Sequence, residues 1–288
     1  MIRYIYPRLP GRRVNPFFRM GGNGLANSLF VFARALLIAD RFGLELIDPP
    51  WLNIEKRPWL KGDKDKRLYT GLFRHIGVRG IRKAWIMARG AQLPEEDFRS
   101  IETSETILRV SRIKGVGFAP LVEHAARVRE LLLDATRPAV LRPVDAFDFS
   151  NCVAVHVRRG DYAPDWRTPT DWYIAILRQS SATMPEIRFL LFSDGTTDEL
   201  APLLALPNVR PVFFGNALAD IWAISRCRAL VGSMSTFSDW GAFLGQIPIV
   251  LPKPPQFGSP LVDSGKIFVC DGNILPKYIR TFLPSNQA

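Results

Sequence analysis

Across the C-terminal half of the chain, short runs of β-branched and apolar residues alternate with stretches whose apolar positions recur every three or four residues. Residues 151–157, Asn-Cys-Val-Ala-Val-His-Val, suit a buried strand. Residues 170–182 then show helical spacing, with Asp171 near the start, where a helix favours a carboxylate. The same reading predicts strands at 188–192, 209–214, 229–232 and 248–251 and helices at 196–205, 217–227 and 236–245. Strands that alternate with helices imply a parallel, doubly wound sheet, because a parallel connection needs a crossover. The N-terminal half begins in a similar way, with 15–20 extended, an amphipathic helix over 26–42 stopped by Gly43, and a strand at 44–47. Residues 51–100 are poorly periodic and yield no element. Residues 136–150, with Pro138 and Pro143, read as a linker. The fold class is therefore α/β, and a length of 288 residues favours two domains, 1–145 and 146–288.

With 47% hydrophobic and 23% charged residues, the chain can bury substantial cores and is not of the disordered class. Its apolar runs, such as 247–251, fall far short of the ~20 residues that cross a bilayer. Residues 1–13 mix Arg with Pro and aromatics and lack the pattern of a signal peptide, so a cytoplasmic address is expected. Three cysteines, Cys152, Cys227 and Cys270, without a Cys-x-x-Cys spacing argue against a disulfide framework or a zinc site and read as small buried hydrophobes. Charge is unevenly spread: residues 1–144 hold 26 Lys+Arg against 14 Asp+Glu, and residues 145–288 hold 12 against 13, so the halves carry +12 and −1. A basic half of this kind could face nucleic acid, the anionic inner leaflet of a membrane, or an anionic lipid-linked substrate, and equally could be a solvated Arg-rich surface. No module that interleaves aromatic and basic residues for nucleic acid is present, so no nucleic-acid partner is expected.

The candidate chemistry sits where strands are expected to end. In open parallel sheets, ligands bind outside the carboxyl ends of the strands, where loops and helix starts converge. Three polar clusters fall there: His156-Val-Arg-Arg-Gly-Asp-Tyr162, Phe192-Ser-Asp-Gly195 and Gly232-Ser-Met-Ser-Thr-Phe-Ser238. A guanidinium matches phosphate oxygens in bidentate fashion, so a diphosphate suits this region. Consecutive side chains of a strand point to opposite faces, so one of Arg158 and Arg159 faces the ligand and the other pairs with a carboxylate such as Asp161; Arg158 is the expected phosphate ligand. Ser235 and Thr236 either cap the next helix or, with its free amides, hold the same anion. Asp220 either caps its helix or accepts the two N–H donors of a guanine edge. Ser193 and Asp194 either touch ribose or phosphate or form an Asp-Gly turn.

The motif His156-Val-Arg-Arg-Gly-Asp resembles the His-x-Arg-Arg-x-Asp motif of α-1,2-fucosyltransferases. The stretch 220–244, with Ser-Thr-Phe-Ser-x-Trp-Gly-Ala at 235–242, is similar to their late motif, and Gly24-Leu-Ala-Asn-Ser-Leu-Phe to their Gly-rich opening, in the same order over residues 20–252. The resemblance implies two facing Rossmann-like domains of the GT-B type, the first binding the acceptor and the second GDP-fucose. It implies Arg158 on the β-phosphate, His156 and Asp220 near guanine, Ser235 and Thr236 on the phosphates with Phe237 beside them, Arg159, Ser193 and Asp194 within the donor site, and Asn27 facing the cleft. The chain departs from the pattern at Ala26 and Ser28 around Asn27, at Met234 and at Asp239. These departures bear on the acceptor more than on the donor, and the C-terminal motifs alone would also suit another GDP-sugar transferase, including a protein O-fucosyltransferase.

The donor is β-linked, so an α-linked product formed in one displacement requires inversion and a group that receives the acceptor proton. Arg158, Asp161 and Asn27 form the expected catalytic set, with Asp161 and Asp48 both open as the base. No cofactor or metal is expected beyond GDP-fucose, because the single Asp-x-Asp, Asp63-Lys-Asp65, lies in a cationic hydrophilic stretch and reads as a solvated loop. A glycan acceptor, lipid-linked or free, and peripheral contact with the cytoplasmic membrane complete the expectation.

Overall fold

A computed structural model describes residues 2–22, 24–55, 65–95, 106–112, 116–160, 162–255, 266–273 and 279, and divides the chain into two units, Met1–Val140 and Leu141–Ala288. The elements of the first are β1 (Ile2–Arg8), β2 (Arg13–Val14), β3 (Arg19–Met20), α1 (Leu25–Phe42), β4 (Glu45–Leu46), β5 (Asn53–Ile54), α2 (Gly80–Arg89), β6 (Ala91–Pro94), β7 (Thr106–Ser111) and α3 (Ala125–Ala135), followed by α4 (Pro138–Asp145) across the division. Four strands form a parallel sheet in the order β4-β1-β7-β6, with Tyr4 opposite Glu45 and Arg8 opposite Ser111. Helix α1 buries most of its first three turns and ends where expected, at Gly43, whose φ of 63° is cheap only for glycine and whose N–H reaches the Ala39 carbonyl.

Two expectations for this region are corrected. Residues 15–20 are extended only at 19–20, in β3: the Asn15 side chain accepts the amides of Phe17 and Phe18, both at 2.8 Å, and turns the chain between β2 and β3. The expected linker over 136–150 contains helix α4. Pro138 takes its first position, where the missing N–H has no helical partner to lose, and Val140 and Val144, one turn apart, are both buried.

The second unit comprises β8 (Cys152–Val157), α5 (Thr170–Thr183), β9 (Arg188–Ser193), α6 (Thr197–Leu204), β10 (Val209–Pro211), α7 (Ala217–Ser225), β11 (Ala229–Val231), α8 (Thr236–Gly245), β12 (Ile249–Leu251) and β13 (Ile267–Val269). Its six strands are all parallel, in the order β10-β9-β8-β11-β12-β13. Val153, Val155 and Val157 pack with Trp172, Tyr173 and Ile176 of α5, and full burial of each contributes about 1.5–3 kcal/mol. Strand β10 ends three residues earlier than its apolar run, because the Phe214 amide turns to the Asp220 carboxylate at 2.8 Å. Cys152 and Cys227 are buried and Cys270 is half-buried, all as free thiols.

One carboxylate in this unit opposes its surroundings. Asp239 lies in the first turn of α8, where the helix dipole favours a negative charge, yet burial prevails and pushes its pKa up to about 7 from an ordinary 3.8. The native state thus holds a proton that the unfolded chain releases, and stability falls as pH rises between about 4 and 7. Asp239→Asn should flatten that slope in thermal melts and add on the order of 1 kcal/mol at pH 8 while changing little at pH 4. Identical pH dependence in variant and parent would overturn this account.

Candidate functional site

Strand order places a crevice between β8 and β11. The chain runs outward from β8 through β9 to β10, then returns to β11 on the other side of β8 and runs outward again through β12. Connections from β8 and β11 therefore leave in opposite directions, which opens the space beyond their carboxyl ends. The polar segments that follow those two strands, 158–162 and 232–238, meet there.

His156 joins them. Its Nδ1 lies 2.7 Å from the Ser238 hydroxyl and 3.0 Å from that of Ser233, and its ring stacks on Phe237 with centroids 4.8 Å apart. The Tyr173 hydroxyl donates to its carbonyl at 3.1 Å. Burial lowers the imidazole pKa to about 4, so the ring is neutral at pH 7. Ser233 and Ser238 received no role from sequence reasoning. The signal for Ser238 lay in its spacing, three residues after the helix cap, which sets it on the inner side of α8.

Arg158 forms an ion pair with Asp194 at the end of β9, and its guanidinium carbon lies 5.2 Å from the centre of the Tyr162 ring. The Tyr162 hydroxyl donates to the Met234 carbonyl at 3.2 Å, so contacts run from β9 through Arg158 to the loop before α8. The other Asp194 oxygen accepts the Arg159 amide at 2.7 Å, and a side chain at Gly160 would collide with the same carboxylate. Both groups of the ion pair keep about a fifth to a quarter of their surface, 21% and 25%, and remain open to exchange with a ligand. The two arginines divide as the strand alternation predicts. Arg159 is 5% exposed and donates to the Thr168 carbonyl at 2.8 Å and the Thr170 hydroxyl at 2.9 Å, fastening the start of α5. Asp161, expected as its carboxylate partner, lies outside the described residues, and the ion pair present here is that of Arg158 with Asp194.

The remaining expected residues divide similarly. Ser235 caps α8, its hydroxyl accepting the Phe237 amide at 3.3 Å, and Thr236 begins the helix beside it. The Ser193 hydroxyl donates to the Val157 carbonyl at 2.6 Å and accepts the Gly195 amide at 3.0 Å, which ties β9 to β8. Asn216, not Asp220, caps α7; Asp220 is buried and holds the Phe214 amide. Asn27 stands in the first turn of α1, within the other unit. Asp161 and Asp63 lie outside the described residues, and the Asp65 carboxylate accepts the Arg67 amide at 2.7 Å.

In the first unit, Asp48 follows β4 and meets His75, Oδ2 to Nδ1 at 3.3 Å, while Arg137 approaches Nε2 at 3.3 Å. His75 thus has a partner at each ring nitrogen. Lys83 is buried against the Asp48 carbonyl at 2.5 Å; burial lowers its pKa to about 8 and raises that of Asp48. Among the described residues, no group of three or more His, Cys, Asp or Glu side chains is arranged to hold a metal ion.

Taken together, the β8/β11 crevice offers a guanidinium, the amide end of a ten-residue helix and a neutral imidazole stacked on an aromatic ring. Such a set suits an anion attached to a planar group.

No family model matches the chain, and no curated protein matches its sequence. Solved structures do resemble it. Fucosyltransferase NodZ from Bradyrhizobium is 17% identical with a TM-score of 0.52 over 85% of this chain and 94% of that one. The NodZ α-1,6-fucosyltransferase soaked with GDP-fucose is 17% identical with a TM-score of 0.51 over 85% and 93%. The E. coli heptosyltransferase WaaC with ADP-2-deoxy-2-fluoro heptose is 12% identical with a TM-score of 0.46 over 98% of both chains. At 17% identity the likeness to NodZ is one of fold alone, an α/β architecture with two parallel sheets of the GT-B kind.

Proposed function

We propose that this chain is an inverting glycosyltransferase that moves L-fucose from GDP-β-L-fucose to a sugar hydroxyl in α linkage, with O-2 of galactose as the acceptor position. The observation that carries the reading is the meeting of His156, Arg158 and the start of α8 at one crevice. The GDP-fucose soaked into NodZ, which shares the fold, supports the donor. The α-1,2 linkage rests on the His156 to Asp161 and 220–244 motifs. In this reading residues 146–288 bind the donor and residues 1–145 the acceptor, a free or lipid-linked glycan.

As the glycosidic bond breaks, the sugar gains oxocarbenium character and negative charge builds on GDP. Arg158 exchanges part of its pairing with Asp194 for the diphosphate, and the amides of α8 near Ser235 and Thr236 face the same charge. Asp194 is then a positioning residue that keeps the guanidinium aimed at the crevice, and Arg159 and Ser193 hold the strand ends that carry it. His156, neutral and stacked on Phe237, and Asp220 stand on the guanosine side. Asn27 orients the acceptor, and Asp161 and Asp48 are the carboxylates that could receive its proton. With these groups opposing the leaving charge, the reaction requires no metal or other cofactor.

Incubation with GDP-fucose and a panel of galactose-terminated acceptors, followed by mass spectrometry and linkage determination, should yield an α-1,2-fucosylated product. Transfer only from another GDP-sugar, or only to peptide hydroxyls, would refute the reading. Arg158→Ala should lower kcat/KM by ~100-fold or more, about 3 kcal/mol of transition-state stabilisation, with an unchanged melting temperature. Near-normal turnover in that variant would exclude the role given to the guanidinium. Exhaustive treatment with EDTA should leave activity intact; a loss that divalent ions restore would show that a metal takes part.

A further inference from the structure

Helix α2 is oriented against the usual rule for a surface helix. Its inner side carries Lys83 and Ile86, and Ile86 belongs to a small core with Tyr6, Ile47, Val78 and Ile107. Its outer side carries Ile81, Arg82, Trp85, Ala88 and Arg89, all exposed, with Ile81 at 90% and Trp85 at 53%. A helix ordinarily turns such residues inward, since leaving a large apolar side chain in water forgoes the gain from its burial. Here a lysine takes the inner place while an isoleucine and a tryptophan, one turn apart, project outward.

The sequence that carries this helix has charge of one sign, and carboxylates reach it only from other segments. From residue 66 to residue 94 the sequence has seven Lys or Arg and no Asp or Glu. Glu45, from β4, meets Arg82 through both oxygens, each at 2.9 Å. Arg89 lies over the Trp85 ring at 4.6 Å, and Arg79, exposed, precedes the first turn. The outward face therefore combines an apolar pair with flanking guanidinium groups. That is the composition of a helix that lies in the interface of a bilayer, where aliphatic and indole side chains enter the acyl boundary and arginines meet headgroup phosphates.

We propose that the outward face of α2 is a docking surface for an anionic lipid bilayer. A second copy of the chain fits less well, because a two-fold contact would set Arg79, Arg82 and Arg89 against their own equivalents. Nucleic acid would satisfy the arginines and leave Ile81, an aliphatic side chain, in water. The surface lies on a different element from every donor-site residue, so it stands or falls independently of the transfer reaction.

The test is flotation of the full chain with vesicles of phosphatidylcholine alone and of phosphatidylcholine with about 30% phosphatidylglycerol. Binding is expected to the anionic vesicles, to weaken with salt, and to shift Trp fluorescence to the blue. Ile81→Ser/Trp85→Ser should weaken it at least ten-fold while the melting curve and GDP affinity stay as in the parent. Arg79→Glu/Arg89→Glu, which leaves the apolar pair in place, should do the same and decides the matter if the first variant folds poorly. Trp85→Phe should retain most of the binding. The proposal is overturned if the parent ignores anionic vesicles, if both double variants bind them undiminished, if the first double variant instead abolishes a concentration-dependent dimer, or if it abolishes binding to a duplex DNA probe with vesicle binding untouched.

Discussion

A buried imidazole shared between two serine hydroxyls fastens the end of β8 to the start of α8, and the candidate site depends on that bond. Ser233 comes from the loop after β11 and Ser238 from the first turn of α8, so the contact closes the crevice that the strand order opens. Because burial keeps His156 neutral, its Nδ1 is shared without placing a second buried cation near Arg158. The Phe237 ring, stacked on the imidazole, fixes the rest of the turn. Loss of the imidazole would remove one bond from each of two buried hydroxyls and leave them each other and the Ser233 amide as partners, a cost on the order of 1 kcal/mol.

The charges of the second unit follow from what this arrangement leaves open. Arg158 and Asp194 form a pair that retains contact with water, and pairs of that kind contribute at most about 1 kcal/mol. A weak pair is what a ligand-exchanging guanidinium requires, since a tightly desolvated one would have to be broken at a cost of ~3–5 kcal/mol. Arg159 next to it shows the contrasting case: buried, directed to a carbonyl and a hydroxyl, and committed to structure. Adjacent, chemically identical side chains just past the end of β8 thus differ through the partners each one reaches.

The second unit could be read from the sequence because β8, β9, β11 and β12 are short apolar runs set between helices of clear period, so local preference and tertiary burial agree. Agreement is lost in the first unit. Strand β1 has Tyr4, Tyr6, Pro7 and two arginines among its seven residues, and its Ile5 and Tyr6 are buried only because β4 and β7 flank it. Helix α2 could not be found by its apolar face, since Ile81 and Trp85 lie on the wrong side of it. At the site, residues that end strands were legible because topology dictates their place, whereas Ser233, Ser238 and Tyr162 act through contacts between segments more than 70 residues apart. No local pattern encodes such contacts.

The uneven charge of the chain takes on a different meaning once both units are described. Residues 145–288, which include Arg158, carry a net charge of −1, and the excess of +12 lies in residues 1–144. In the proposed reading, recognition of a diphosphate depends on one oriented guanidinium and the end of one helix, which act over a few ångströms. A diffuse positive field would add little at that distance, because salt screens it within about 10 Å. Such a field suits an extended anionic surface instead, where many weak contacts add and no single geometry is demanded. The basic run over residues 66–94, and the helix within it that turns tryptophan and isoleucine to solvent, meet that description. The two proposals, precise chemistry at Arg158 and diffuse attraction at α2, thus rest on different elements of the chain.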